Sequence, residues 1–129
     1  NIMNRIFFIL AISLTLVACQ AQNNVKPLDT KQFIELEAQE NVKVIDVRTP
    51  GEVSAAYIEG TDYFFNISSS NFANQIASLD TNATYIVYCR SGARSSKALS
   101  FMSNNGFSNL YELSGGINAW KDKNLILSK

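Results

Sequence analysis

Cys89 is followed by Arg90, Ser91, Gly92, Ala93 and Arg94, a run that sets one nucleophilic residue beside two cations and three small residues. A thiol reacts as its thiolate, and a free cysteine has a pKa of about 8.5. Two features of the run should lower that value. A helix expected to begin near Ser95 presents unpaired N–H groups and a dipole that favour an anion, and Arg90 and Arg94 bring positive charge. Gly92 can take backbone angles closed to other residues, so the loop can curl until several N–H groups face one sulfur. An inert core cysteine would explain Cys89 but not the arginines after it. Two arginines behind a buried strand are costly to desolvate unless they serve an anion.

The 129 residues contain no histidine. That excludes a Ser-His-Asp or Cys-His pair and the usual zinc and haem sites, and no cofactor or metal is expected. Any nucleophile must be activated by backbone dipoles, a lowered intrinsic pKa or arginine. Lysine plus arginine equal aspartate plus glutamate at 11 each, so a nucleic-acid partner has no electrostatic support. Apolar residues make up 47% and charged residues 17%, enough for the core of one domain.

Positioning Cys89 requires the elements around it. Thr84 to Tyr88 is the most apolar strand candidate and runs directly into Cys89, and Ser95 to Asn104 follows as a helix with Ala98, Leu99 and Met102 at core spacing and Gly106 as a stop. Upstream, Asp29-Thr30 starts a helix to about Gln39, Val42 to Val47 is a strand, and Pro50 to Ala56 is a short helix. Tyr63 to Ile67 reads as a strand, Asn71 to Leu79 as a helix, Leu110 to Leu113 as a strand and Ile117 to Lys123 as a last helix. This alternation predicts an α/β fold: an open parallel sheet of about five short strands with helices on both faces. Ligands in such sheets bind outside the carboxyl ends of the strands, where Cys89 falls.

The N-terminal segment reads as an address. Asn4-Arg5, the apolar run Ile6 to Val17 and Ala18-Cys19 form a short positive region, an apolar region and a small residue before a cysteine. The run is short for a transmembrane helix, which needs about 20 apolar residues. Leu16-Val17-Ala18-Cys19 resembles the lipobox of bacterial lipoproteins. The resemblance implies a signal peptide over 1–18, lipid on Cys19 and a membrane anchor. It leaves Cys89 as the free thiol, and residues 19–27 read as a polar tether to a domain over 28–129. Removing 1–18 takes Arg5 alone among the charges, for a net charge of −1. Gln20 after the lipidated cysteine resembles the outer-membrane sorting state, so the expected location is the cell envelope, on the periplasmic side of the outer membrane in a Gram-negative cell.

Four ordered segments together resemble the rhodanese-like (sulfurtransferase) family. Cys89 to Arg94 fits its six-residue active loop, and Asp46-Val47-Arg48-Thr49-Pro50 with Glu52 fits a segment at the end of an early strand. Ile58-Glu59-Gly60 and Leu113-Ser114-Gly115-Gly116-Ile117 with Ala119-Trp120 fit two later motifs. The resemblance implies a rhodanese-like fold and a persulfide mechanism. Cys89 would take a sulfane sulfur from thiosulfate or another small anionic donor and pass it to a thiol or cyanide. Arg90, Ser91, Gly92, Ala93 and Arg94 would bind the donor, with Asp46 and Arg48 bracing the loop or forming an ordinary strand-end ion pair. No motif points to a protein partner. Gly115, Gly116 and Trp120 read as structural.

The chain departs from the family where Ala56-Tyr57 replaces the usual Gly-His, and Thr61 the usual alanine. Two other functions compete. Phosphatases and arsenate reductases also use a cysteine loop, but with its arginine one place later, where this chain has Ser95. A non-catalytic binding or redox-sensing module would keep the fold and lose turnover.

Overall fold

The computed structural model describes residues 24–129, so Cys19 and the signal-like run lie outside the described residues. Its centre is β5 (Thr84–Tyr88), in which Tyr85 to Tyr88 are all buried. A strand this apolar needs cover on both faces and partners on both edges. The partners are β2 (Val42–Asp46) on one side and β6 (Leu110–Leu113) on the other, both parallel to it. Val44 stands opposite Ile86, and Val87 opposite Glu112. β1 (Val25–Leu28) and β4 (Tyr63–Phe64) complete a five-stranded, all-parallel sheet in the order β1-β6-β5-β2-β4. β3 (Tyr57–Ile58) and β7 (Leu127–Ser128) pair antiparallel in a separate ribbon.

Side chains alternate across a strand, so each strand feeds two cores. On one face Ile45, Val47, Tyr85, Val87 and Cys89 pack with Phe72 and Ile76 of α3 (Phe72–Ala77) and Ala98, Leu99 and Met102 of α4 (Ala93–Asn104). On the other, Val42, Val44, Ile86 and Tyr88 pack with Phe33 of α1 (Thr30–Glu37) and Ile117 and Trp120 of α5 (Gly116–Asp122). There Phe33 and Trp120 meet edge to face with centroids 5.2 Å apart. Sheet and helical layers agree with the expected architecture, and the alternation puts Cys89 on the α4 side.

Local sequence explains the helix starts. Asp29 and Gln32 form a reciprocal capping box, with bonds of 2.7 and 2.9 Å. Thr49 and Glu52 form a second one at α2 (Pro50–Ala55), where Pro50 fills the first turn.

Several boundaries differ from the sequence reading, and three of the differences have a plain physical reason. Val25, Lys26 and Pro27, assigned to the tether, belong to β1, an edge strand whose only partner among the described residues is β6. Edge position is what lets a strand hold a proline. β4 ends at Phe64, yet the amides of Phe65 and Ile67 still bond the carbonyls of Asp46 and Val47 at 2.9 and 3.2 Å, so the expected longer strand survives as an irregular extension. α4 begins at Ala93, two residues early, because Gly92 takes φ +130° and turns the chain directly into the helix.

The N-terminus of α5 grips the loop that follows β5. The amides of Ile117 and Asn118 donate to the carbonyls of Cys89 and Arg90 at 2.9 and 3.1 Å. This approach requires Gly116, where φ is +59° and an added methyl would lie on the Cys89 carbonyl and 2.6 Å from the Arg90 oxygen. Gly116→Ala should therefore cost about 1–3 kcal/mol in denaturant unfolding. Gly51→Ala, with nothing within 4 Å of its added methyl, should be neutral or gain up to about 1 kcal/mol.

Candidate active site

Cys89 leaves the end of β5 with its side chain 1% exposed. Burial alone would raise the thiol pKa, since a sulfur anion loses its water. The site supplies replacements. The Gly92 amide donates to Sγ at 3.0 Å, and the Ser95 hydroxyl oxygen lies 3.4 Å from the same sulfur. Burial is the largest single influence, but the Ser95 hydroxyl and the backbone N–H groups of Ser95, Gly92 and Ser91 together outweigh it. The thiol is held below its ordinary value. Backbone dipoles thus do what the sequence expected of them.

The arginines do less for the sulfur than expected. Arg94 turns to α2, where its two terminal nitrogens meet the two Glu52 oxygens at 2.6 and 2.9 Å. That bidentate pair holds the Glu52 carboxyl down to about 2. Arg90 is exposed and has no ion-pair partner within 4 Å among the described residues. Ser91 and Gly92 contribute amides, and Ala93 opens the helix, so the loop's backbone rather than its cationic side chains faces the sulfur.

Asp46 and Arg48 form a pair almost closed to solvent, at 0% and 4% exposure. Arg48 Nε bonds Asp46 Oδ1 at 3.0 Å, and its terminal nitrogen bonds Oδ2 at 2.8 Å and the Ala56 carbonyl at 2.7 Å. The guanidinium carbon also lies 5.9 Å from the centre of the Tyr88 ring. These residues pin the end of α2 and pack on the residue before Cys89, and among the described residues neither makes a side-chain hydrogen bond or ion pair with the loop.

Tyr88 also explains one departure from the family pattern. Its hydroxyl lies 2.8 Å from Thr61 Oγ1 and accepts the Ile58 amide at 3.1 Å. Thr61 thus satisfies a phenol buried in the core, which alanine there could not do. Tyr57, in place of the usual histidine, packs edge to face on Phe64 with centroids 4.8 Å apart.

Three residues of this site went unassigned from sequence. Glu52 was noted within a motif but not paired with Arg94. Ser95 enters the sequence reading as the start of a helix and as a count of loop length, without a role for its hydroxyl, although its place directly after Arg94 is a usable signal. Glu112 had none: its Oε2 lies 3.3 and 3.1 Å from the hydroxyls of Ser95 and Ser96, a contact made only by folding β6 beside α4.

The Rhodanese-like domain family matches residues 29–123 of the chain. The chain is similar to the thiosulfate sulfurtransferase GlpE of Shewanella oneidensis, at 28% identity over 102 residues, spanning 79% of this chain and 98% of that protein. It is similar to the protein of the same name from Pseudomonas entomophila, at 32% identity over 96 residues, spanning 74% and 84%. Among solved structures it is similar to a rhodanese-related protein from Thermoplasma volcanium, with a TM-score of 0.68 and 25% identity over 80% of this chain and 97% of that one.

The donors around Sγ set a pH expectation. Titrating thiolate absorbance, with Cys89→Ser subtracted, should give a midpoint below that of an ordinary cysteine. Ser95→Ala should raise the midpoint by about one unit, the worth of one hydrogen bond to a charged group. Because the folded value is lowered, the thiolate stabilises the fold above the unfolded thiol pKa, and that contribution is lost as pH falls through the folded value. A midpoint unmoved by Ser95→Ala would show that its hydroxyl does not serve the anion.

Proposed function

Because the chain belongs to the rhodanese-like family, we propose that it is a sulfurtransferase or sulfur carrier in which Cys89 holds a sulfane sulfur as a persulfide. The observation that carries this reading is the convergence of the Gly92 amide and the Ser95 hydroxyl on one sulfur, with further N–H groups favouring its anion. A thiolate so held is the nucleophile that such chemistry needs. It attacks the outer sulfur of a donor; the Sγ–S bond forms as the donor's own bond to that sulfur breaks, and the donor remainder leaves with the electron pair. With thiosulfate the leaving group is sulfite. A thiol or cyanide then attacks the outer sulfur and releases Cys89 as thiolate.

The names of the similar proteins support the class of reaction. A second reading, a binding or redox-sensing module, draws on the 1% exposure of Cys89, which limits access to its sulfur. Intact mass separates the two. Incubation of the lipid-free domain with thiosulfate, polysulfide or mercaptopyruvate should add one sulfur atom, which cyanide removes and Cys89→Ser never acquires. A wild-type protein that gains nothing from any of these donors would end the carrier reading.

We also propose that the chain acts on the cell envelope, anchored by lipid on Cys19. The support is the order of Arg5, the apolar run and Leu16-Val17-Ala18-Cys19. In cells, Cys19→Ser should abolish processing and lipid labelling and move the protein out of the detergent-soluble membrane fraction. Unchanged processing and partition would count against the lipobox.

A further inference from the structure

The charges bordering the active loop cancel, and one of them belongs to a residue outside the reaction described so far. Arg94 is occupied by Glu52, and Arg48 by Asp46. Two charges remain without an ion-pair partner among the described residues: Arg90, which is exposed, and Glu112, which is half-buried. Glu112 stands on β6 beside the start of α4. Its Oε2 accepts the hydroxyls of Ser95 and Ser96 at 3.3 and 3.1 Å. Its Oε1 lies 3.8 Å from where a Cβ on Gly92 would sit. The carboxylate is therefore two hydrogen bonds from the Cys89 sulfur, with Ser95 between them.

Ser95 has one hydroxyl proton and three acceptors within reach: Glu112, the Gly92 carbonyl at 3.1 Å and the sulfur. A second anion arriving at the sulfur meets the Glu112 charge across a partly desolvated loop, where salt screens weakly. A dianion meets that repulsion twice over. Arg94 carries the Glu52 carboxylate beside it, and the unpaired cation, Arg90, is exposed, where water and salt screen it more than they screen the half-buried Glu112.

We propose that Glu112 is a specificity-determining residue of the sulfur site, disfavouring doubly charged donors such as thiosulfate and selecting an organic persulfide, R–S–SH. The proposal rests on the sulfur-carrier reading. The Cys89 thiolate attacks the outer sulfur of the persulfide; the Sγ–S bond forms as the R–S bond to that sulfur breaks. The electron pair leaves with R–S⁻, and the outer sulfur keeps its proton as Cys89 becomes the persulfide.

The test compares wild type, Glu112→Gln and Glu112→Asp. Cys89 is alkylated with iodoacetate and with iodoacetamide, which share a reacting carbon and differ by one negative charge. Their rate ratio cancels the thiolate fraction and the gross accessibility of the sulfur. In Glu112→Gln the iodoacetate-to-iodoacetamide ratio should rise about 3- to 10-fold, and in Glu112→Asp it should stay near wild type. kcat/KM for thiosulfate should rise in Glu112→Gln through KM, while that for cysteine persulfide changes less than about twofold. An unchanged alkylation ratio, or an Asp variant that behaves like Gln, overturns the role of Glu112 and leaves sulfur carriage standing. Wild type that accepts sulfur from neither donor overturns sulfur carriage and donor selection with it.

Discussion

A sulfur with a lowered pKa, withdrawn from water in a chain without histidine, is the constraint from which the rest of this structure follows. Burial penalises the anion, and no imidazole is present to offset it. What remains is the peptide backbone. Its donors reach a single atom only if the chain turns sharply at Gly92, which is itself the N-cap of α4 and offers no side-chain cap. The early start of α4 is thus part of the same device as the loop.

Donors of this kind serve only if they are fixed in place. The loop is held on three sides. α5 fastens the carbonyls of Cys89 and Arg90, the Arg94–Glu52 pair ties the start of α4 to α2, and Tyr88 is locked below by Thr61 and Ile58. The Asp46–Arg48 pair extends this lower support to the end of α2. Glu52 serves twice, capping α2 through Thr49 and receiving Arg94 on its two oxygens. The paired cations Arg48 and Arg94 are therefore chiefly parts of the frame, and the groups bonded to the sulfur are amides and one hydroxyl.

Much of this was legible in the sequence because it rests on local rules. The apolar runs of β5 and β2 read directly as strands, and Asp29 and Pro50 marked the starts of their helices. The loop's length and composition pointed to Cys89 without a structure. The sequence hid what depends on pairing between distant segments. β1 contains two exposed residues, one of them a proline, and only its ladder with β6 makes it a strand. Two-residue strands such as β3 carry no periodicity at all. Arg94 read as a donor-binding cation because its carboxylate partner lies 42 positions away. Glu112 was invisible for the same reason, since nothing in Leu110 to Leu113 indicates that its second outward residue meets a serine on α4.

Parallel strands give the sheet two unlike ends. All five strands begin at one end, and Cys89 lies just past the close of β5 at the other. The chain enters the sheet at Val25, on the starting end of the edge strand β1. The four residues of β1 span roughly 13 Å at the usual strand rise. Whatever holds the segment before Val25 thus holds the domain by the pole opposite its sulfur. A body attached there would lie at the end of the sheet away from the mouth of the loop, and would leave that mouth uncovered.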